Sequence, residues 1–285
     1  MINHSMKSIG TAKEGWQAGL QLELKDKKGR TVLLSSKHYG PLRVQRPFYP
    51  EGPVCHLYLL HPPGGLVAGD SLAISVELGT RAHALITTPA AGKLYRVMKN
   101  ALDQYQGVKA KLASGAVLEW MPQETIIYNN ARGTLLNRFD LEGDALLIGW
   151  DIICLGRRAS GEQYTGGRLK QCIEIYRDGK PLYIDRVTFN GGSDMLKAPW
   201  GMNGASVSGT MFITLGEDTK LSLDDIREKI PKDAQWGISQ RGEVLLLRYL
   251  GHSAESCRRG FEVLWQTLRP TLLKIAVHRP RIWNT

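Results

Sequence analysis

Short strand-like stretches separated by turn residues recur along most of this chain, and they constrain its fold more than any other feature. Residues 21–26 and 31–36 flank a Gly-containing turn, which predicts a β-hairpin. Residues 171–189 are interrupted by a second turn of this kind at 178–181. Further strands are predicted at 54–60, 72–78, 82–88, 116–120, 125–128, 134–141, 145–155, 207–215 and 243–250.

The close spacing of these segments favours an all-β architecture over repeated βαβ units. The 31 glycines in 285 residues follow no period, which excludes a collagen-like chain and is typical of many turns. No composition shift marks a linker between domains. We therefore expect a mainly β protein, with one large β-sandwich or β-helix-like domain over residues 1–285 and a few peripheral α-helices.

Two helices are predicted. Ser222 is a suitable N-cap for residues 223–229, which begin with acidic residues. A second helix is predicted over 253–268, and Pro270 is expected to end or kink it. One face of that helix is apolar, which indicates packing against a core. That face consists of Cys257, Phe261, Leu264, Trp265 and Leu268.

The net charge is +10, and the whole excess lies in residues 1–50 and 251–285. A nucleic-acid groove would need a basic stripe with interleaved aromatic residues across a folded surface, so a nucleic-acid binder is disfavoured. The basic ends are either solvated or form a face for an acidic protein partner. The sequence has no secretory signal and no apolar run long enough for a membrane span, so we expect a soluble, cytoplasmic protein without membrane association.

Motifs for common catalytic chemistry are missing from the sequence. It has no G-x-S-x-G elbow, no complete phosphate-binding loop, no C-x-x-C pair and no H-x-H or H-x-x-x-H pair. Its four cysteines are too sparse for a disulfide scaffold. These absences exclude the usual hydrolase, nucleotide-binding and zinc signatures.

Carboxylates in apolar or Gly-rich surroundings are the more informative feature. Asp151 lies inside the apolar run 146–155, where a buried carboxylate needs a partner. Arg157 or Arg158 is the expected structural partner, and a polar channel or a transient cation site is the functional alternative. Glu119 and Glu124 are five residues apart, so they would face opposite ways on a regular strand and do not support a glycosidase pair.

Five blocks in order resemble the urease accessory protein family called UreD, also UreH. These blocks are LLHPPGGLVAGD, TTPAAGKLYR, EWMPQETIIY, ICLGRRASGE and the terminal PRIW. The resemblance implies a mostly β, non-catalytic cytoplasmic scaffold used to mature the nickel enzyme urease. It further implies binding to apo-urease and to the accessory protein UreF, which recruits the nickel-carrying GTPase UreG. An internal tunnel for nickel is implied as well.

From this resemblance and the carboxylate pattern, four acids are predicted to line a path for nickel in transit: Asp70, Glu124, Asp151 and Glu162. Carboxylate oxygens bind nickel more weakly than imidazole or thiolate groups, which suits release, so no tightly bound cofactor is expected. The C-terminal segment is predicted to form the partner interface, since Arg and Trp are frequent interface anchors. The predicted anchors are Arg258, Arg259, Arg269, Arg279, Arg281 and an exposed Trp283.

Two alternatives stay open. One is an enzyme of unknown type on a β scaffold that uses buried carboxylates such as Asp70, Glu124 or Asp151 as acid or base. The other is a solvated basic C-terminal tail in place of an interface. The oligomeric state, with a homodimer inside the complex as one option, is left open by the sequence.

Overall fold

A computed structural model describes residues 15–216, 219 and 221–284. It contains seventeen strands and two α-helices within those residues. The strands are β1 (Gln17–Lys27), β2 (Arg30–Tyr39), β3 (Arg43–Val44), β4 (Cys55–Leu60), β5 (Ser71–Leu78), β6 (His83–Thr87), β7 (Gly92–Leu94), β8 (Gln104–Leu112), β9 (Val117–Met121), β10 (Thr125–Ile127), β11 (Arg132–Leu141), β12 (Leu146–Leu155), β13 (Arg168–Arg177), β14 (Lys180–Asn190), β15 (Val207–Thr214), β16 (Gln235–Arg241) and β17 (Val244–Gly251). The helices are α1 (Leu223–Lys229) and α2 (Ala254–Leu273). The mainly β prediction is confirmed.

The strands form two sheets. The first sheet has seven strands in the order β14-β13-β11-β8-β5-β1-β2, parallel except at its two edges. The second sheet has ten strands. Eight follow the order β16-β17-β15-β12-β9-β6-β4-β3, and in addition β10 pairs with β12 and β7 pairs with β10. From β4 to β13 the chain alternates between the sheets, except for β7 and β10, and so follows a β-helix-like course.

The two sides of this coil differ in their connections. On one side the chain turns within four residues, at 79–82, 113–116 and 142–145. On the other side the connections are long, at 61–70, 88–103, 122–131 and 156–167. Loops placed on a rigid scaffold commonly carry function, so the side with long connections is where a site is expected.

Two apolar cores follow from the alternation of side chains along the strands. In β12, Leu147, Ile153 and Leu155 point between the two sheets. Trp150 and Ile152 point to the opposite face, where they pack with the apolar face of α2. The predicted stripe of α2 is buried throughout, which confirms its assignment to a core.

Most predicted elements are confirmed, and the corrections concern the end of the second helix and four strands. Helix α1 has the predicted bounds, and the Ser222 side chain accepts a hydrogen bond from the backbone N–H of Asp225. Helix α2 continues through Pro270 to Leu273, because Leu272 and Leu273 pack on the core and stabilise the last turn. Four strands were not predicted: β3, β7, β8 and β16. Strands β3 and β7 are only two and three residues long, and in β8 and β16 Gly107, Gly237 and charged or polar residues lower the strand propensity.

Among the described residues, no helix is long and apolar enough to cross a membrane. The prediction of one domain over residues 1–285 stays a prediction, since residues 1–14 and 285 lie outside the part that the structure describes.

Candidate functional site

A cavity of about 380 Å³ lies between the two sheets and opens toward the long connections. Its wall is largely apolar, with side chains such as Leu59, Leu72 and Leu135. Several polar groups interrupt this wall: His61, Thr88, Lys93, Gln106, Gln123, Thr125, Asn137 and Asp151. An apolar cavity with a few convergent polar groups is the usual form of a binding or passage site.

Asp151 is the carboxylate that lines this cavity. Its position in β12 directs it between the sheets, where one oxygen accepts hydrogen bonds from Asn137 (3.2 Å) and Gln171 (2.8 Å). Asn137 and Gln171 occupy inward-facing positions of β11 and β13, so three polar side chains meet inside an apolar core. Burial raises the pKa of Asp151, and the two amide hydrogen bonds only partly oppose this shift.

The expected ion pair of Asp151 with Arg157 or Arg158 is wrong. Both arginines follow the end of β12, and Arg157 is partly exposed and Arg158 exposed, whereas Asp151 is buried. Arg157 binds Glu162 at 3.0 Å, and Arg158 contacts His252. Asp151 is therefore a buried acid hydrogen bonded to two neutral amides. Neither Arg157 nor Arg158 compensates its charge.

Asp70 has a different environment. It is buried, and its two oxygens accept hydrogen bonds from the backbone N–H groups of Trp16 and Val67, each at 2.8 Å. These bonds connect the start of β1 to the long connection 61–70. The contacts of Asp70 are those of a residue that stabilises a turn, and its role in a nickel path stays a prediction.

Glu124 and Glu162 also lie on the long connections, each beside an arginine. Oε2 of Glu124 is 3.8 Å from Nη1 of Arg258, too far for a hydrogen bond. Glu162 is hydrogen bonded to Arg157, and this contact lowers the pKa of the Glu162 carboxyl. Neither residue lines the cavity, so the four predicted acids do not converge on one point.

Within the described part of the chain, no three His, Cys, Asp or Glu side chains are arranged to hold a metal ion.

His61 is a cavity residue that the sequence did not single out. It lines the cavity at the start of the connection 61–70. Burial lowers its pKa, while the charge of Asp70 acts in the opposite direction. The ring is therefore neutral at pH 7, and neutral imidazole is the form that binds metal ions. The sequence feature that could have identified His61 is its position at the end of a strand, directly before Pro62-Pro63-Gly64-Gly65.

The sequence also missed a buried ion network between the second sheet and α2. Arg269 is fully buried, and it binds Glu119 at 2.9 Å and Glu51 at 2.8 Å. His83 and His56 contact the same two carboxylates, at 2.7 Å and 2.6 Å. Burial alone would raise the pKa of Glu119, but His83 and Arg269 lower it to about 2. This network attaches α2 to the sheet.

The predicted C-terminal interface needs two corrections. Arg269 is fully buried in the ion network with Glu119 and Glu51, so it is not available to a partner. Trp283 is buried, with its ring against Trp150 and Trp265 and its indole N–H donated to Thr87. Its apolar ring completes the core beside α2, which is why it is not exposed. Arg258 and Arg279 both contact the carboxylate of Glu262, at 3.6 Å and 2.8 Å.

Two other members of that cluster have exposed side chains. Arg259 pairs with exposed Glu255 one turn earlier on α2. Arg281 is exposed near the end of the described chain. A partner interface at Arg258, Arg259, Arg279 and Arg281 stays a prediction.

Replacing Asp151 by Asn tests the environment of the buried acid. Because burial raises the pKa of Asp151, the folded chain holds this proton more tightly than the unfolded chain. Ionisation therefore costs stability as the pH rises above the ordinary value of 3.8, and Asp151→Asn removes that cost. In urea denaturation at pH 8, we expect the free energy of unfolding of Asp151→Asn to equal or exceed that of the parent.

The difference in free energy of unfolding between Asp151→Asn and the parent should decrease as the pH is lowered toward 3.8. Asp140→Asn is the matched control, because Asp140 is partly exposed and binds Arg138 at 2.8 Å. A loss of stability in Asp151→Asn that is equal at both pH values would contradict the assignment.

Known proteins with similar sequences place these observations in a family. The sequence model described as UreD urease accessory protein matches residues 17–284. A urease accessory protein UreD of Saccharophagus degradans is 46% identical over 276 residues, which cover 95% of this chain and 93% of that protein. The UreD of Dechloromonas aromatica is 44% identical over 275 residues, 95% of each chain. That of Methylobacillus flagellatus is 38% identical over 287 residues and covers both chains completely. These matches confirm the resemblance, and the chain belongs to the UreD family of urease accessory proteins.

Proposed function

We propose that this chain is a cytoplasmic scaffold that binds apo-urease and UreF and gives nickel a passage toward the urease active site, with GTP-dependent delivery by UreG recruited through UreF. The family gives the chain a role in urease maturation, as an accessory protein and not as an enzyme. The alternative of an enzyme using buried carboxylates is therefore set aside. Nickel is the cargo of this process, and no tightly bound cofactor is invoked.

The cavity between the sheets is the single observation that best supports a passage. It lies between the two sheets, opens toward the long connections, and carries Asp151, His61 and Lys93 in a mostly apolar wall. Asp151 and His61 are the cavity groups that suit a divalent nickel ion. A wall with few ligands holds an ion weakly, which a passage requires.

Co-purification tests the scaffold function. The tagged chain is expressed with the urease subunits and UreF, and the complex is isolated with and without nickel and GTP. We expect both proteins to be retained in all conditions, because assembly precedes nickel delivery. If the chain retained neither apo-urease nor UreF, the proposed function would be wrong.

The passage is tested by acid variants in the same complex. We expect Asp151→Asn to lower urease activation by roughly tenfold while the complex stays intact, because the variant fills the same space without a charge to attract the cation. Asp70, Glu124 and Glu162 remain candidate acids on the path, and their single variants are measured beside it. Asp140→Asn, on the partly exposed side of β11, is the control and should activate as the parent does.

Activation and co-purification are measured on the same preparations, so that a lost complex is not mistaken for a lost passage. Normal activation in all four acid variants and in their combination would remove these residues from the nickel path.

A further inference from the structure

Four large apolar side chains are exposed at the end of the first sheet where strands β1, β5 and β8 begin. Trp16 precedes β1, Val67 lies in the connection that enters β5, and Met98 and Leu102 lie in the connection that enters β8. They are 47–78% exposed. We call these four residues the edge patch.

The four residues of the edge patch are grouped because the three strands that follow them are neighbours. Strands β1, β5 and β8 lie side by side and begin in register, with Gln17 opposite Ser71 and Ser71 opposite Tyr105. Three adjacent strands span about 10 Å. Single exposed apolar residues are common on protein surfaces, but a group at three consecutive strand starts indicates an interaction site.

Asp70 holds one half of the edge patch in place. Its carboxylate binds the N–H groups of both Trp16 and Val67. Gly69 donates a hydrogen bond to the carbonyl of Leu102 at 3.2 Å. Gly69 has φ +82° and a Cβ there would lie 2.8 Å from the nitrogen of Gly15, so glycine is required for this close approach.

Arg132 holds the other half. Its guanidinium donates to the carboxylate of Asp103 at 2.9 Å and to the carbonyl of Lys99 at 2.8 Å, and it also contacts the carbonyl of Ala101. These bonds fix the backbone between Met98 and Leu102. A surface that is ordered before binding loses less conformational entropy on association.

The rim of the edge patch is basic. Arg96 and Lys99 are exposed beside Met98. Asp103, the exposed acid in this connection, is already paired with Arg132 and Arg168. Asp70 is buried beneath the patch. The rim therefore presents positive charge around an apolar centre, which is the usual layout of a protein interface.

We propose that the edge patch is a docking surface for a protein partner that offers apolar side chains flanked by Asp or Glu. This inference rests on the proposed scaffold function and adds a face for one of the two partners. The positive rim disfavours a second copy of this +10 chain as the occupant and favours an acidic surface. Apolar contact supplies the affinity, and the rim charges orient the partner.

The test measures binding of purified UreF and of purified apo-urease, each separately, to the full chain and to two variants. Met98→Asp places a charge at the most exposed residue of the patch, where folding does not depend on the side chain. Lys99→Glu reverses one rim charge. Ile184→Asp, at another exposed apolar residue on β14, is the matched control.

We expect Met98→Asp to weaken binding of one of the two proteins by roughly tenfold or more, with the other unaffected. Lys99→Glu should weaken the same partner by less and reduce the dependence of its affinity on salt. Ile184→Asp should bind both partners as the parent does.

Three results would overturn the inference. Equal binding of parent and Met98→Asp to both proteins would remove the edge patch as an interface while leaving the scaffold function intact. If Met98→Asp bound both proteins as the parent does and lost only self-association in size-exclusion chromatography, the occupant would be a second copy of this chain. A parent chain that binds neither protein would refute the scaffold function, and the docking surface with it.

Discussion

Replacing Arg269 by Met is expected to lower the free energy of unfolding by about 3–5 kcal/mol. The variant leaves the fully buried Glu119 and the partly buried Glu51 without the guanidinium that binds both of them. Such a loss exceeds the effect of an ordinary ion pair because buried carboxylates have no water to replace the partner. Urea denaturation of the isolated chain, followed by tryptophan fluorescence, measures the change.

Arg259→Met is the matched control on the same helix. Arg259 pairs with Glu255 at the surface, so its replacement should change the unfolding free energy by less than about 0.5 kcal/mol. Equal stability of Arg269→Met and Arg259→Met would show that the network does not hold α2 on the sheet.

The same network predicts how stability changes in acid. The pKa of Glu119 in the folded chain is about 2, below its ordinary value of 4.5. Its contribution is therefore complete above pH 4.5 and is lost as the pH falls toward 2. Glu119→Gln should be less stable than the parent at pH 7, and this difference should decrease between pH 4.5 and pH 2.

Replacing Trp283 by Ala is expected to destabilise the chain by about 3–5 kcal/mol. The indole is 5% exposed, packs against Trp150 and Trp265 with ring centroids 5.7 and 5.8 Å away, and donates to Thr87 at 2.9 Å. Truncation leaves a cavity between α2 and the second sheet and removes the donor to the Thr87 hydroxyl, which itself still donates to the carbonyl of Met121. Thermal unfolding and urea denaturation both measure this effect.

Trp200→Ala is the control for the loss of an indole as such. Trp200 is 78% exposed, so its truncation should alter the unfolding free energy by less than about 0.5 kcal/mol. If Trp283→Ala were as stable as Trp200→Ala and only partner binding suffered, Trp283 would be an interface residue after all.

The sequence predicted most strands and both helices because the signals for these elements lie in residues close together in the chain. Alternation, glycine turns and the Ser222 cap each depend on a few neighbouring residues. Strand β8 was missed although Val108, Ala110 and Leu112 alternate with two lysines, because Gly107 and small residues weaken its strand character. The extension of α2 past Pro270 depends on tertiary packing, which overrides the local effect of proline.

The candidate site was less predictable, because its contacts join residues far apart in sequence. Asp151 was identified from its apolar surroundings, but its partners Asn137 and Gln171 lie on two other strands. Their inward-facing polar positions in β11 and β13 were a usable signal. Glu119 and Arg269 are 150 residues apart, and no local pattern connects them.

Nickel content of urease tests the central claim most directly. Apo-urease is incubated with nickel, GTP, UreF and UreG, with or without this chain, then separated from the other proteins and analysed for metal and for activity. We expect nickel content and activity to rise together when the chain is present, and to stay near the level of untreated apo-urease when it is omitted. Equal nickel incorporation in both mixtures would contradict a role of this chain in nickel delivery.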